Sequence, residues 1–244
     1  MINTDSIPAY ILFGQWDQNR KAILRGIQHE LNDLTLIEPI FPKYQKVPFL
    51  NQLIQLSKER TGTALSAAEI GVLLGHRAIW RKVVESNVDE NQHVLILESD
   101  SKLKDPNLLK ANFQKFTQPY DIFFWGAWDG HARIHRSSIA FIESGFTIGT
   151  PLIKSVYCTY GYSLNKKAAA YLLKATSKVS YPVDIYKKFI KPGALKIGAA
   201  RPEIIGAWYN TPSTIQVQSK LNKVKRFLIV QIFDLRNRIH AYFS

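Results

Sequence analysis

Residues 65–104 restrict the fold more than any other part of the chain, because they join a capped helix to a buried strand that ends in acids. Ser66 followed by Glu69 is a capping box, in which each side chain answers a backbone N–H left free at a helix start. Ile70, Leu73, Leu74, Ile79, Trp80, Val83 and Val84 then recur at helical spacing and form a wide apolar face. Gly71 and Gly75 lie inside that helix, where each costs about 1 kcal/mol against alanine, so a second backbone or a ligand is expected to come close there. After a polar turn, residues 94–97 are a short apolar run that suits a strand covered on both faces. A helix feeding such a strand belongs in an α/β fold.

Glu98, Ser99 and Asp100 end this strand on the side where open α/β sheets present their ligand sites. Residues two apart in extended chain point the same way, so Glu98 and Asp100 are expected to face one pocket with Ser99 turned aside. An acid-x-acid pair of this kind suits a hard divalent ion, manganese or magnesium, whose shell is completed by diphosphate oxygens. An arbitrary E-x-D tripeptide is more often a solvated strand end. The place of this one favours a site.

The rest of the chain supplies further α/β units. Residues 8–13 read as a strand, followed by a turn at Gly14 and a helix over 19–31. Arg20, at that helix start, is either an anion contact or a surface arginine. Strands are expected over 34–41 and 120–125, and helices over 49–57 and 106–116. Residues 126–130 form a turn that offers Asp129 as an acid ligand or base. His131, Arg133, His135 and Arg136 make a basic loop, solvated or touching an anion, whose arginines would repel a metal ion. A strand through Gly161 and Tyr162 gives way at Asn165, a good N-cap, to another helix. Tyr162 serves either packing or substrate contact. Asp184, near a further helix start, is either a cap or a general base.

A net charge of +13 calls for an anionic partner, and because the charge thickens only over the last residues, no nucleic-acid stripe is expected. There the basic residues of 220–243 alternate with Leu221, Val224, Phe227, Leu228, Ile232, Leu235 and Ile239, which share one side of a helix. That helix either lies in a membrane interface or docks on the core. The expectation is a catalytic domain over 1–218 and a basic amphipathic helix over 219–244. With no signal pattern and no apolar run near the roughly 20 residues that span a bilayer, the protein is expected in the cytoplasm, peripheral on the inner face of the cytoplasmic membrane. Cys158 is the single cysteine, which excludes an internal disulfide.

Glu69, Ile70, Gly71, His76 and Trp80, followed by the strand ending Glu98-Ser99-Asp100, resemble the signature of glycosyltransferase family 25, the lipooligosaccharide-type galactosyltransferases. Val72 and Gly75 replace the usual Cys and Ser, and Ser99 replaces the middle acid of the family's L-E-D-D. A second similar segment has Thr159, Gly161, Tyr162, Ala169 and Leu172 in register. The resemblance implies a GT-A type, Rossmann-like fold with a mixed central sheet flanked by helices, and inverting transfer of a hexose, galactose first, from a UDP-sugar. The implied acceptor is a lipooligosaccharide or another cell-surface glycan. Around the donor it sets Arg20, Glu69, His76, Glu98 and Tyr162, with Asp100 and Glu98 on the metal and Asp184 or Asp129 as base. Two rivals follow from Ser99 and the high charge. One is an inactive basic membrane- or nucleic-acid-binding module on the same fold, and the other a metal-dependent phosphohydrolase.

Overall fold

A computed structural model describes residues 6–127, 132–141, 145–208 and 220–243, apart from the side chains of 141 and 220–230. Sixteen helices and strands organise the described chain. In order they are β1 (Ala9–Leu12), α1 (Lys21–Glu30), β2 (Leu34–Ile37), α2 (Leu50–Thr61), α3 (Ala67–Glu85), β3 (Val94–Glu98), β4 (Ser101–Leu103) and α4 (Pro106–Thr117). There follow β5 (Ile122–Phe124), β6 (Ala140–Phe141), β7 (Thr147–Gly149), β8 (Gly161–Leu164), α5 (Lys166–Ala175), β9 (Ile197–Arg201), β10 (Ile205–Ala207) and α6 (Lys220–Phe243).

Eight strands form one mixed sheet in the order β2-β1-β3-β8-β5-β9-β7-β6. β1 runs parallel to both β2 and β3, whereas β8 is antiparallel to β3 and to β5. The chain leaves β1 towards β2 on one side and returns as β3 on the other, so the strand order reverses at β1. At such a switch point the loops beyond the strand ends diverge and open a crevice.

Each face of the sheet is covered. On one face Leu12, Ile96, Phe124 and Tyr162 pack with Leu73, Ile79 and Trp80 of α3 and Leu172 of α5. On the other, Ile11, Leu97, Phe123 and Trp125 pack with Ile27 of α1 and Phe113 and Phe116 of α4. The alternation of faces along β1 and β3 explains why 94–97 carries no polar residue: both sides of the strand are core. This is the expected mixed α/β sandwich, consistent with a Rossmann-like glycosyltransferase fold.

The capping box holds as drawn from the sequence. Ser66 Oγ accepts from Glu69 N at 3.2 Å, and Glu69 Oε2 accepts from Ser66 N at 2.7 Å. The two helix glycines meet different neighbours. A Cβ on Gly71 would collide with the Ile40 carbonyl oxygen, and one on Gly75 would lie 3.3 Å from Leu12 of β1. The second backbone foreseen against α3 is therefore the loop after β2.

Several expectations need correction. The helix foreseen over 19–31 opens as a 3-10 turn at Gln18–Arg20 and becomes α-helical at Lys21. β2 ends at Ile37 because Pro39 and Pro42 cannot donate to a ladder. α2 runs past 57 to Thr61, where Gly62 closes it in the left-handed conformation at φ 79°. The strand of 120–125 is only three residues long, since Asp121 faces Lys196 and Asn165 rather than the core. Of the two readings of the basic loop, Arg133 takes the anion contact rather than the solvated one, since it is buried and ion-paired to Asp234 of α6.

Candidate active site

The crevice at the switch point is built from the loop after β1 and the turn after β3. Residues 99–100 are not strand, and the two-residue alternation stops at Glu98. Ser99 is consequently not turned aside. Its Oγ accepts from Arg20 Nη1 at 2.6 Å and donates to Asp17 Oδ2 at 3.2 Å. Arg20 also lies 3.4 Å from Asp17 and 3.6 Å from Asp100. Only 11% of its side chain is exposed, so it is no surface arginine but the cation that ties the β1 loop to the acid turn.

The turn itself is fixed from behind. Ser101 Oγ accepts from Glu98 N at 2.9 Å and donates to the Tyr160 carbonyl. β4, which starts at Ser101, pairs with β10, and Trp208 N donates to the Asp100 carbonyl at 2.8 Å. Asp100 is thereby held by its backbone, and of its carboxyl oxygens Oδ2 faces Arg20. Its Oδ1 is buried and has no hydrogen-bond partner among the described residues. Burial and the neighbouring Glu98 charge, against the pull of Arg20, raise its pKa to about 6.

Glu98 is oriented by a buried relay. Trp80 Nε1 can only donate, and it donates to Tyr162 Oη at 2.8 Å. Tyr162 Oη is 2.9 Å from His76 Nδ1, and His76 Nε2 is 3.1 Å from Glu98 Oε1. The assignment that gives every proton an acceptor has Tyr162 donating to Nδ1 and a neutral His76 donating Nε2–H to the carboxylate. Burial pushes Glu98 up, but hydrogen bonds from His76 and Thr159 and the Arg20 charge outweigh it and hold the carboxyl below its usual range. Glu98 is thus an ionised acceptor beside an Asp100 that ionises reluctantly.

His76 and Tyr162 are fully buried and belong to the relay that ends on Glu98. Glu69 likewise has Oε2 committed to the helix cap, though its charge reaches Asp184. Asp184 is not a cap, because the following 3-10 turn at Tyr186–Lys188 receives no side-chain hydrogen bond at its start. Asp184 Oδ1 is buried without a partner among the described residues, as is Tyr186 Oη. Burial first, then the Glu98 charge, raises the Asp184 carboxyl to about 6. Asp129 lies outside the described residues.

Of the residues named from the sequence, Arg20, Glu98 and Asp100 lie together and Asp184 lies within reach of the Glu98 charge, while Asp17, Ser99, Thr159 and Tyr186 were not named as site residues. Asp17 had a usable signal, as an acid in the turn between β1 and α1. Ser99 had none, since its role depends on the strand ending at Glu98, two residues short of the expected end.

The donor set is all hard oxygen, which fits a divalent cation. Among the described residues no group of three or more His, Cys, Asp and Glu side chains is placed to hold one alone. The two carboxylates that would take part in holding one are Glu98 and Asp100, the latter with an Oδ1 that has no partner among the described residues. No curated protein sequence matches the chain. The family profile of glycosyltransferase family 25, described as LPS biosynthesis protein, matches residues 16–187, a span that begins at the β1 loop and ends just after Asp184 and so takes in every site residue above. The chain belongs to glycosyltransferase family 25 and is a glycosyltransferase of the LPS biosynthesis type.

Proposed function

We propose that the enzyme transfers a hexose, galactose first among the candidates, from a UDP-sugar to a lipooligosaccharide or related cell-surface glycan, with inversion at the anomeric carbon. The supporting observation is that Glu98 and Asp100 gather at Arg20 at the switch point, with Asp184 close enough to feel the Glu98 charge, two of the three carboxyls holding a buried oxygen with no partner among the described residues. Ligand atoms are the natural complement of such oxygens.

Arg20, cross-braced by Asp17 and Ser99, presents a fixed positive charge to the diphosphate. Manganese or magnesium, held by Glu98 and Asp100, would neutralise charge on the departing diphosphate. Asp184 accepts the acceptor hydroxyl's proton. The resulting oxygen forms the new bond to the anomeric carbon from the face opposite the diphosphate, and the bonding pair to the old oxygen leaves with UDP. A carboxyl with a pKa of about 6 is ionised at neutral pH yet more basic than an ordinary aspartate, which suits a general base.

The test is UDP release from a panel of UDP-sugars, with manganese, in the presence of a truncated lipooligosaccharide acceptor. Acceptor-dependent release from UDP-galactose supports the reading. Release of inorganic phosphate instead, or turnover of none of the donors, contradicts it.

A further inference from the structure

Beyond sugar transfer, the packing of α6 points to a second function. In a helix docked on a protein core, the apolar side normally faces inward. α6 is inverted over its described half. Asp234, Asn237 and Ala241 face the domain and are buried. Asp234 is clasped by the buried Arg133 and by Arg238, whose Nε lies 2.8 Å away. The opposite side carries Ile232, Leu235, Ile239 and Phe243, exposed by 70%, 60%, 53% and 83%. Leu221, Val224 and Leu228 continue the same spacing in the sequence.

The charge around this stripe selects its occupant. Asp234 is the only acid between 220 and 243, and it is turned inward. Arg236 and Arg238 are exposed on the helix. Two exposed cations of the domain border it as well: Arg136 stacks over the Tyr242 ring at 4.7 Å, and Lys187 lies over Phe233 at 6.0 Å. A second copy would bring the same cations against themselves, so self-association is opposed. An anionic bilayer surface supplies both what the stripe and its border need, an apolar boundary for the side chains and phosphate charge for the rim. No helix of the described residues is long and apolar enough to cross a membrane, so the helix would lie flat.

We propose that α6 is a membrane-docking platform for anionic lipid, with Ile232, Leu235, Ile239 and Phe243 entering the interface and the Arg133–Asp234–Arg238 cluster holding the helix outward. The proposal needs neither donor nor acceptor, so it stands or falls separately from sugar transfer.

Co-sedimentation of the full chain with phosphatidylglycerol-containing vesicles, against pure phosphatidylcholine, tests it. Binding should favour the anionic vesicles. The variant I232S/L235S/I239S should lose about tenfold or more of the partitioning, because three exposed apolar side chains no longer enter the interface. Its melting temperature should match wild type, since none of the three is buried. Arg236→Gln should cost about fivefold and more at low salt than at high salt. Equal binding by the triple variant, or indifference of the wild type to lipid charge, overturns the proposal. So does a wild-type dimer in sedimentation velocity that the triple variant converts to monomer without any change in vesicle binding.

Discussion

Asp184, the proposed base, shows at the scale of one residue how a buried carboxyl can weigh against stability. Its carboxyl is buried beside Glu98 with one oxygen unmatched among the described residues, and its pKa rises from 3.8 to about 6. A raised carboxyl pKa means the native state holds its proton more tightly than the unfolded chain does. The folded protein therefore loses stability as pH climbs from about 4 through about 6, and above that the full cost applies. Asp184→Asn removes the charge but keeps the shape. Urea unfolding should show the variant more stable than wild type at pH 8 by up to about 3 kcal/mol, with the advantage gone near pH 4. Transfer should fall by roughly 10²- to 10⁴-fold while UDP affinity stays. A variant that is less stable at pH 8, or that transfers at the wild-type rate, would mean the buried carboxyl has a structural partner and the base is another residue.

Among the elements, β8 carries two relays of the same plan on its two faces. Tyr162 takes a hydrogen bond from Trp80 and passes one to His76, which ends on Glu98. On the opposite face Ser163 takes one from Trp125 at 3.0 Å, and His93 follows at 3.3 Å, ending on the Tyr120 carbonyl. Burial lowers the His93 pKa to about 4, so this second ring is neutral and serves the fold alone. The contrast yields a paired test. Tyr162→Phe and Ser163→Ala should each lower stability by about 1–3 kcal/mol, because each orphans a buried tryptophan N–H. Only Tyr162→Phe should also weaken UDP-sugar binding, measured by titration at a temperature where both variants are folded. If both weaken it alike, or neither does, the Tyr162 relay does not position Glu98.

The same elements mark what a one-dimensional pattern can and cannot carry. The helix start at Ser66 and the apolar body of β3 were legible because capping and apolar runs are local, whereas the strand was drawn on to Asp100 and stops at Glu98. Asn165 was legible for the same reason, and its side chain accepts from Ala168 N at 3.0 Å. The end of β2 was misjudged although Pro39 was in view, because an apolar run suggests a strand even where the ladder stops. Trp80 to Tyr162 and Arg133 to Asp234 are contacts between distant segments, and nothing in their spacing announces them. The inverted docking of α6 belongs here too: its apolar stripe was visible, but which side met the domain depended on the buried Arg133.

Over the whole molecule, the arrangement is a sheet whose strand order reverses at β1, with Glu98 and Asp100 where the loops part. The positive balance of +13 suits a diphosphate donor at one place and an anionic surface at another. The central claim is that the cation and donor meet at Glu98 and Asp100, and it rests on the free Asp100 Oδ1 and on the fixed backbone that aims it. Asp100→Asn keeps the side chain's shape and removes the charge that would offset the cation. Calorimetric titration of UDP with and without manganese, on wild type and on Asp100→Asn, addresses the claim directly. The expected result is that manganese tightens UDP binding to wild type and leaves the variant's affinity unchanged. A variant that still binds UDP more tightly with manganese than without would show that the cation is held elsewhere.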